Sequence, residues 1–300
     1  MMGSINWRGV FPAVTTKFTS NDSLDFDAMA QHLEFQIDAG VHGIIILGSL
    51  GENSTLDMAE KVEMVQFFAT RIEGRVPLVV CIAESGTREA LELLIKATAA
   101  GASGFMVLPP MRYASDNRET LAYFRAIGTA SQLPIMLYNN PVAYGTDLSP
   151  QDFSSLSDVP AFEAIKESAA DTRRFPEIRR LCGDRYALFC GVDDLAFECF
   201  SLGAVGWVAG LVVAFPHETV RLYNLMSEGR WREARDLYDW FLPLLHLDIG
   251  NKFVQQIKLV EELKGVGSAR VRAPRMELDG EQAGHVRHVF EQAMATRPDL

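Results

Sequence analysis

Residues 161 to 168 read Ala-Phe-Glu-Ala-Ile-Lys-Glu-Ser, an apolar run with strand character that ends at a lysine, Lys166. An ammonium group at the end of a buried strand pays a desolvation penalty, so it forms an ion pair, reaches the surface or loses its proton. A lysine that has lost its proton can attack a ketone and form a Schiff base. The alternative is an ordinary ion pair between Lys166 and Glu163 or Glu167.

Runs of this kind recur along the first 210 residues, and each is followed by a polar turn and a segment with helical spacing. This alternation is typical of parallel βα units. We predict strands at about 9–14, 43–47, 78–82, 104–108, 135–138, 162–166, 187–190 and 206–209. Helices are predicted at 26–39, 58–72, 88–100, 118–130, 172–181 and 195–202. Eight such units predict a (β/α)₈ barrel, also called a TIM barrel, in which the chemistry lies at the carboxyl ends of the strands.

The pattern changes after the eighth strand, because residues 217–295 contain no further convincing strand. Apolar faces appear there at helical spacing: Tyr223, Leu225, Trp231, Leu237, Tyr238, Trp240, Phe241, Leu244 and Leu245. Packing explains such a cluster better than a cofactor site does. We therefore predict a barrel over residues 1–215 and a helical region over residues 216–300 that packs on it and contributes to a subunit contact.

Composition narrows the range of partners and compartments. The 300 residues are 48% hydrophobic, enough for a large core, and 28 basic against 39 acidic residues give a net charge of −11. This charge argues against a nucleic-acid partner. The segment Met1 to Arg8 lacks the pattern of a secretory signal, and no apolar run is long enough to cross a membrane. We expect a cytoplasmic protein with reduced, unpaired cysteines at Cys81, Cys182, Cys190 and Cys199.

The predicted second strand runs into Gly48-Ser49-Leu50-Gly51-Glu52. Glycines let successive backbone amides converge on an anion such as a carboxylate, and the Ser49 hydroxyl adds a donor. Many strand-helix turns hold two glycines for conformational reasons alone, so this second interpretation stays open. The turn lacks the pattern of a phosphate loop or a dinucleotide fingerprint.

Two further strands end in polar residues. The fifth ends in Tyr138-Asn139-Asn140-Pro141, which places a phenol beside the sixth strand and Lys166. A tyrosine hydroxyl can donate and accept protons in turn, although Tyr138 can also simply pack at the rim with its hydroxyl in water. The seventh leads into Gly191-Val192-Asp193-Asp194, where one aspartate is expected to cap the next helix and the other could bind a substrate hydroxyl.

Together with Val208-Ala209-Gly210 after the eighth strand, these segments resemble the dihydrodipicolinate synthase / N-acetylneuraminate lyase family over essentially the whole chain. The resemblance implies a (β/α)₈ barrel with a C-terminal helical region, a homotetramer, and a Schiff-base enzyme that acts on pyruvate-like 2-oxo acids. It implies that Lys166 forms the Schiff base and that Tyr138 transfers protons. The substrate-binding residues that we predict are Ser49, Leu50, Gly51, Asn139, Tyr144, Asp193 and Gly210.

The chain departs from the synthase pattern in three places. Ser49-Leu50 replaces two adjacent threonines, and the stretch 108–113 (LPPMRY) replaces a segment with a relay tyrosine. Residues 142–145 (VAYG) stand where the synthases have an arginine for the carboxylate of their aldehyde substrate. Each loss removes an interaction with the transition state, so the departures argue against dihydrodipicolinate synthesis.

Within the family, three segments are most similar to the 1-pyrroline-4-hydroxy-2-carboxylate deaminases of hydroxyproline breakdown. These are IKESAADTRRF at 165–175, NNPVAYGTDLSP at 139–150 and RAPRMEL at 272–278. The resemblance implies a small cyclic imine as the substrate and products of 2-oxoglutarate semialdehyde and ammonia. The implied reaction needs no metal and no organic cofactor.

Three alternatives remain at this point, and dihydrodipicolinate synthesis itself is one of them. Another Schiff-base reaction is possible, namely an aldolase for 2-keto-3-deoxy sugar acids or sialic acid, or a sugar-acid dehydratase. The hydroxyls of such substrates would find partners among Asp193, Asp194, Asn139, Asn140 and Glu84. A barrel that only senses a 2-oxo acid would be expected to lack the lysine or the tyrosine, and this chain has both.

Overall fold

A computed structural model describes residues 5–110 and 113–299. Met111 and Arg112, which belong to the stretch that departs from the synthase pattern after the fourth strand, lie outside these ranges. The first half of the segment Met1 to Arg8 also lies outside them.

Eight parallel strands form one sheet in the described residues. They are β1 (Gly9–Pro12), β2 (Ile44–Ile46), β3 (Leu78–Ile82), β4 (Gly104–Val107), β5 (Ile135–Asn139), β6 (Phe162–Glu167), β7 (Ala187–Cys190) and β8 (Gly206–Ala209). Their order is β1-β8-β7-β6-β5-β4-β3-β2, and a parallel bridge between Ala13 and Ile45 closes the ring. The predicted (β/α)₈ barrel is confirmed, with every strand within two residues of its predicted bounds.

The α-helices of the described residues are α1 (Phe26–Asp38), α2 (Met58–Ile72), α3 (Thr87–Ala99), α4 (Asn117–Ala130), α5 (Pro141–Tyr144), α6 (Pro150–Ser155), α7 (Arg174–Cys182), α8 (Ala196–Ser201), α9 (Pro216–Ser227), α10 (Trp231–Leu245), α11 (Phe253–Lys264) and α12 (Gly280–Ala295). Short 3₁₀ turns occupy Asn53–Thr55, Asp193–Leu195, Leu211–Val213 and His246–Asp248. The six helices predicted from spacing are all present.

The strands are continuous apolar runs because both of their faces are covered. Side chains pack inside the barrel and helices cover its outside, so nearly every strand residue is buried. Local polar residues set where the helices begin. Asp57 and Asp116 each accept a bond from the backbone amide three residues on, and Glu60 and Glu119 return the bond, which forms a capping box.

The region after β8 begins with a helix that belongs to the ring. Helix α9 starts at Pro216 and packs against β1, so it stands in the eighth helical position. Aromatic rings then join the C-terminal helices to one another, with Phe215 meeting Trp240 and Phe241 at centroid distances of 6.4 and 5.7 Å. The aromatic cluster therefore packs. The division at residue 215 stays a prediction, and the contacts of α9 run across it.

Two features bear on the expectations from composition. All four cysteines are free, and three of them are buried. In the part of the chain that the structure describes, no helix combines the length and the apolar character needed to cross a membrane.

Candidate active site

Lys166 lies at the carboxyl end of β6, directly beside Tyr138 of β5. The two residues are register partners in the parallel pair, and the lysine Nζ lies 4.1 Å from the centroid of the tyrosine ring. The Lys166 side chain is 7% exposed. The register of two neighbouring strands thus brings the predicted amine and the predicted phenol together.

The ion-pair alternative for Lys166 is not what the structure shows. The Glu163 carboxylate accepts a hydrogen bond from Trp7 Nε1 at 2.9 Å. The Glu167 carboxylate accepts bonds from the Ala169 amide at 2.7 Å and from Asn139 Nδ2 at 3.2 Å. Residues at odd and even positions of a strand face opposite sides, so these two neighbours lie outside the barrel interior that holds Lys166.

Burial lowers the pKa of the Lys166 ammonium below its ordinary value of 10.5. The nearby acidic groups of Tyr144 and Asp248 act in the opposite direction and moderate the shift. Desolvation penalises a charged amine, and among the described residues no carboxylate forms an ion pair with it. The amine can therefore reach its neutral, nucleophilic form more easily than an exposed lysine can.

The hydroxyl groups of Tyr138, Tyr144 and Ser49 line the same cavity as this amine. Burial raises the pKa of Tyr138 to about 12, while hydrogen bonds from Asn140 and Tyr144 act to lower it. Asn140 Nδ2 donates to the Tyr138 hydroxyl at 3.1 Å, and the rings of Tyr138 and Tyr144 meet edge to face at 6.0 Å. The Tyr144 hydroxyl in turn shares a short hydrogen bond with Ser49 Oγ. This series of hydroxyls can pass a proton between the Lys166 side of the cavity and the turn after β2.

The turn after β2 is held from outside the cavity. Thr16 Oγ1 donates to the Gly51 carbonyl at 2.6 Å, and a β-carbon at Gly51 would lie 3.1 Å from the Val14 carbonyl. Glu52 adopts a left-handed backbone conformation with φ +56°, and its buried carboxylate pairs with Lys258 of α11 at 2.5 Å. Gly51 therefore gives the turn its close approach to β1 and does not itself line the cavity.

Asp193 fixes the end of β8 and does not face the cavity. Its carboxylate accepts hydrogen bonds from Trp207 Nε1 at 2.9 Å, the Gly210 amide at 3.1 Å and the Leu211 amide at 2.8 Å. These donors use up the acceptor positions that a substrate hydroxyl would need. The neighbouring Asp194 carboxylate lies 3.7 Å from His246 Nε2, also outside the cavity lining.

The cavity at the carboxyl ends of the strands gathers six of the nine predicted site residues. They are Lys166, Tyr138, Ser49, Leu50, Tyr144 and Gly210. Gly51, Asn139 and Asp193 lie behind this lining. Asn139 is fully buried, and its amide holds Glu167 and the backbone amide of Leu148, so it anchors the loop after β5.

The cavity also contains a carboxylate that the sequence did not reveal. Asp248 comes from the short turn between α10 and α11 and lines the same cavity as Lys166. Nothing in its local sequence, His-Leu-Asp-Ile-Gly, distinguishes it from a surface loop residue. The only available signal was its place in a region predicted to cover one face of the barrel.

Comparison with known proteins decides the family. The profile described as "Dihydrodipicolinate synthetase family" matches residues 6–293. This chain belongs to that family. It is accordingly a class I lyase, a member of a family of enzymes that work through a lysine Schiff base.

Relatives within the dihydrodipicolinate synthetase family are distant in sequence and close in structure. The chain is 29% identical to a 4-hydroxy-tetrahydrodipicolinate synthase of Methanothrix thermoacetophila over 98% of this chain and 99% of the relative. It is 31% identical to that of Geobacter metallireducens, over 89% and 92%. A crystal structure of dihydrodipicolinate synthase from Aquifex aeolicus superposes with a TM-score of 0.91 at 26% identity, covering 95% and 97%.

A further family member is a prophage protein from E. coli K12, solved in complex with pyruvate. It superposes with a TM-score of 0.90 at 27% identity and covers 96% of this chain and 99% of its own. The relatives match this chain over nearly all of their length. The barrel and the C-terminal helices are therefore both features of the dihydrodipicolinate synthetase family.

Proposed function

We propose that this protein converts 1-pyrroline-4-hydroxy-2-carboxylate to 2-oxoglutarate semialdehyde and ammonia, with Lys166 as the Schiff-base residue. The observation that best supports this proposal is the set of groups at one end of the cavity. A single buried amine is accompanied by the hydroxyls of Tyr138, Tyr144 and Ser49 and by the apolar Leu50. This set matches a compact substrate with one carboxylate, one imine and one hydroxyl.

Lys166 begins the reaction by attacking C2 of the ring, and the C2–N bond breaks so that one imine is exchanged for another. The ring nitrogen leaves C2 as a primary amine that stays attached to C5. The Schiff base acidifies C3, a base removes a C3 proton, and the 4-hydroxyl departs as water. Tyr138 is the phenol placed to move these protons, since it lies against the Lys166 amine.

Hydrolysis completes the reaction. After the loss of water, a shift of the double bond makes an imine at C5, and one water converts it to an aldehyde and ammonia. A second water releases the product from Lys166. The balance is one water consumed for each substrate, and no metal or organic cofactor takes part.

The carboxylate of the substrate is proposed to lie in the turn after β2. Ser49 and Leu50 line the cavity there, and the Ser49 hydroxyl and the Leu50 backbone amide are the groups proposed to donate to an oxyanion. Tyr144 closes the far side of this turn through its bond to Ser49 and limits the space beside the carboxylate. A five-membered ring fits that arrangement better than a chain with two carboxylates.

The second candidate is synthesis of 4-hydroxy-tetrahydrodipicolinate, and the names of the curated relatives favour it. Pyruvate bound to the E. coli K12 relative supports a 2-oxo acid in either case. The sequence of residues 142–145 argues against the synthase reaction. This stretch has no arginine where the synthase pattern has one for a second carboxylate, and its Tyr144 is bonded to Ser49.

The cellular setting is part of the proposal. Four unpaired cysteines fit a reducing cytoplasm. The aromatic-rich region from residue 216 onward is proposed to cover one barrel face and to contribute to a homotetramer. Size-exclusion chromatography with light scattering would give a mass of four chains, and a monomer would contradict this part of the proposal.

A substrate panel tests the reaction. Purified protein without added metal is given 1-pyrroline-4-hydroxy-2-carboxylate, sialic acid, 2-keto-3-deoxy sugar acids, or pyruvate with aspartate semialdehyde. Release of ammonia and the semialdehyde from the pyrroline alone is the expected result. Pyruvate release from a sugar acid, or condensation of pyruvate with the aldehyde, would reject deamination while leaving a Schiff base at Lys166 possible.

A further inference from the structure

Asp248 reaches the cavity from outside the barrel, and the absence of a side chain at Gly210 makes this possible. A β-carbon built on Gly210 would lie 2.5 Å from Oδ1 of Asp248 and 2.8 Å from its Oδ2. The carboxylate thus fills the space that any other residue at position 210 would occupy. The end of β8 and the turn before α11 together bring a carboxyl group to the cavity that contains Lys166.

The Asp248 carboxylate lacks hydrogen-bond and ion-pair partners within the described protein. Within residues 5–110 and 113–299 no group donates a hydrogen bond to it and no cation pairs with it. Its neighbour Asp193 differs sharply, because three donors hold that carboxylate. The one nearby imidazole, on His246, faces Asp194 at 3.7 Å instead. A partly buried carboxylate without donors costs free energy, so such a group calls for an explanation.

The charges around Asp248 make it selective. Burial and the proximity of Asp193 raise the pKa of Asp248, and Lys166 acts against them. A substrate carboxylate brought next to Asp193 and Asp248 would be a third acidic group in one buried site, where a further negative charge is disfavoured, whereas an ammonium or a hydroxyl would donate to an acceptor that lacks a partner. Discrimination of this kind depends as much on repulsion as on attraction.

We propose that Asp248 is a specificity-determining residue that binds the end of the substrate remote from Lys166 and selects an amine or a hydroxyl there over a carboxylate. This inference rests on the proposed function, in which opening of the ring frees an amine on C5 next to the C4 hydroxyl. Asp248 accepts hydrogen bonds from that end while Lys166 holds C2. The carboxylate cradle proposed around Ser49 lines the same cavity and serves the C1 group.

Reductive trapping with cyanoborohydride tests the inference without relying on turnover. Three probes present different groups at the remote end: pyruvate ends at C3, 2-oxoglutarate has a C5 carboxylate, and 1-pyrroline-2-carboxylate yields a C5 amine when its ring opens. The concentration that half-saturates labelling of Lys166 is measured by mass spectrometry for each probe. The proteins compared are the wild type, Asp248→Asn, Asp248→Ser and, as a matched loss of charge nearby, Asp194→Asn.

The expected result is a change in the ratio between probes, each measured against pyruvate in the same variant, because Asp248 also acts on the pKa of Lys166. In the wild type, 2-oxoglutarate should need at least about tenfold more probe than pyruvate, because a third acidic group is disfavoured in a buried site that already holds two. Asp248→Asn should bring the two within about threefold and weaken labelling by 1-pyrroline-2-carboxylate about tenfold. Asp194→Asn should behave as the wild type does.

Two outcomes would overturn the inference: an unchanged ratio of 2-oxoglutarate to pyruvate in Asp248→Asn, or an equal shift in Asp194→Asn. If Asp248→Asn failed to label even with pyruvate, the ratio of 2-oxoglutarate to pyruvate in Asp248→Ser would decide whether the inference holds. Failure of the proposed function is seen separately. Wild-type protein that released no ammonia from 1-pyrroline-4-hydroxy-2-carboxylate would reject deamination, while the trapping ratios would still decide the role of Asp248.

Discussion

Lys17 and Lys166 are both buried lysines at the carboxyl ends of barrel strands, and their surroundings differ in one respect. Lys17, which follows β1, is 2% exposed and lies 2.5 Å from the Glu261 carboxylate and 2.7 Å from Thr15 Oγ1. Lys166 is 7% exposed and lies over the ring of Tyr138. Burial lowers the pKa of both amines, but Glu261 opposes that shift at Lys17. A counter-ion keeps a buried lysine charged, and its absence leaves the amine free to react.

Two more buried lysines follow the Lys17 pattern. Lys61 pairs with Glu84 at 2.6 Å, and Lys258 pairs with Glu52 at 2.5 Å. The pairs Lys17–Glu261 and Lys258–Glu52 join α11 to the loops after β1 and β2, so they hold the C-terminal region over the catalytic end of the barrel. Of these four lysines, Lys166 is the one that lines the cavity at the strand ends and has no carboxylate partner among the described residues.

The largest expected effect separates Lys166 from Lys17. Lys166→Ala should lower kcat by roughly 10⁴-fold or more, because no other amine lines the described part of the cavity. Incubation with pyruvate and borohydride should add the reduced acid to Lys166 and not to Lys17, as peptide mass spectrometry would show. Labelling at Lys17, or substantial turnover by Lys166→Ala, would show that the comparison assigns the wrong lysine.

Lys17→Met should affect stability and not trapping. Removing the ammonium leaves the Glu261 carboxylate buried without its main partner, which costs about 3 to 5 kcal/mol. Denaturant unfolding at fixed protein concentration measures this loss, and pyruvate trapping of the folded variant serves as the control. A variant as stable as the wild type would mean that the Lys17–Glu261 pair contributes little net stability.

Glu167, the residue that follows Lys166, should make the free energy of unfolding depend on pH. Burial raises its folded-state pKa to about 7 from an ordinary value of 4.5, although Arg174 acts to lower it. Between these two pH values only the unfolded chain is ionised at this position, so the free energy of unfolding should fall as pH rises from about 4.5 to 7. The loss approaches about 3 kcal/mol.

Glu167→Gln should remove that fall, because glutamine does not titrate. Comparing unfolding of the two proteins at pH 5 and pH 8 isolates the contribution of this one group from those of the other carboxylates. Parallel pH dependences in the two proteins would contradict the prediction.

The smallest expected effect concerns the hydroxyl series. Tyr144→Phe removes the hydroxyl that bonds to Ser49 while keeping the ring packed against Tyr138. We expect kcat to fall about tenfold, at the low end for loss of a proton-transfer group, with pyruvate trapping at Lys166 retained. An unchanged kcat would show that protons reach the cavity by another route.

The sequence predicted the barrel with few errors, and the reasons for this agreement can be identified. Its strands are apolar on both faces and its helices carry their own caps, as at Asp57 and Asp116, so local signals agree with the final fold. The errors in the site are also instructive. Tyr138 and Asn139 were both assigned to the substrate, but adjacent strand residues face opposite sides. Only Tyr138 lines the cavity, and Asn139 anchors the loop behind it.

The sequence by itself determined that Lys166 and Tyr138 would meet at one end of the barrel. Lys166 and Tyr138 end strands that are consecutive along the chain, and consecutive parallel strands of a barrel are neighbours, so their meeting follows from order alone. Tertiary structure decided which of the two aspartates after β7 accepts hydrogen bonds from backbone amides at the end of β8. It also placed Asp248 in the lining of the cavity. Those outcomes depend on how the C-terminal helices pack over the barrel, and contacts between residues distant in the chain leave no periodic signal in the sequence.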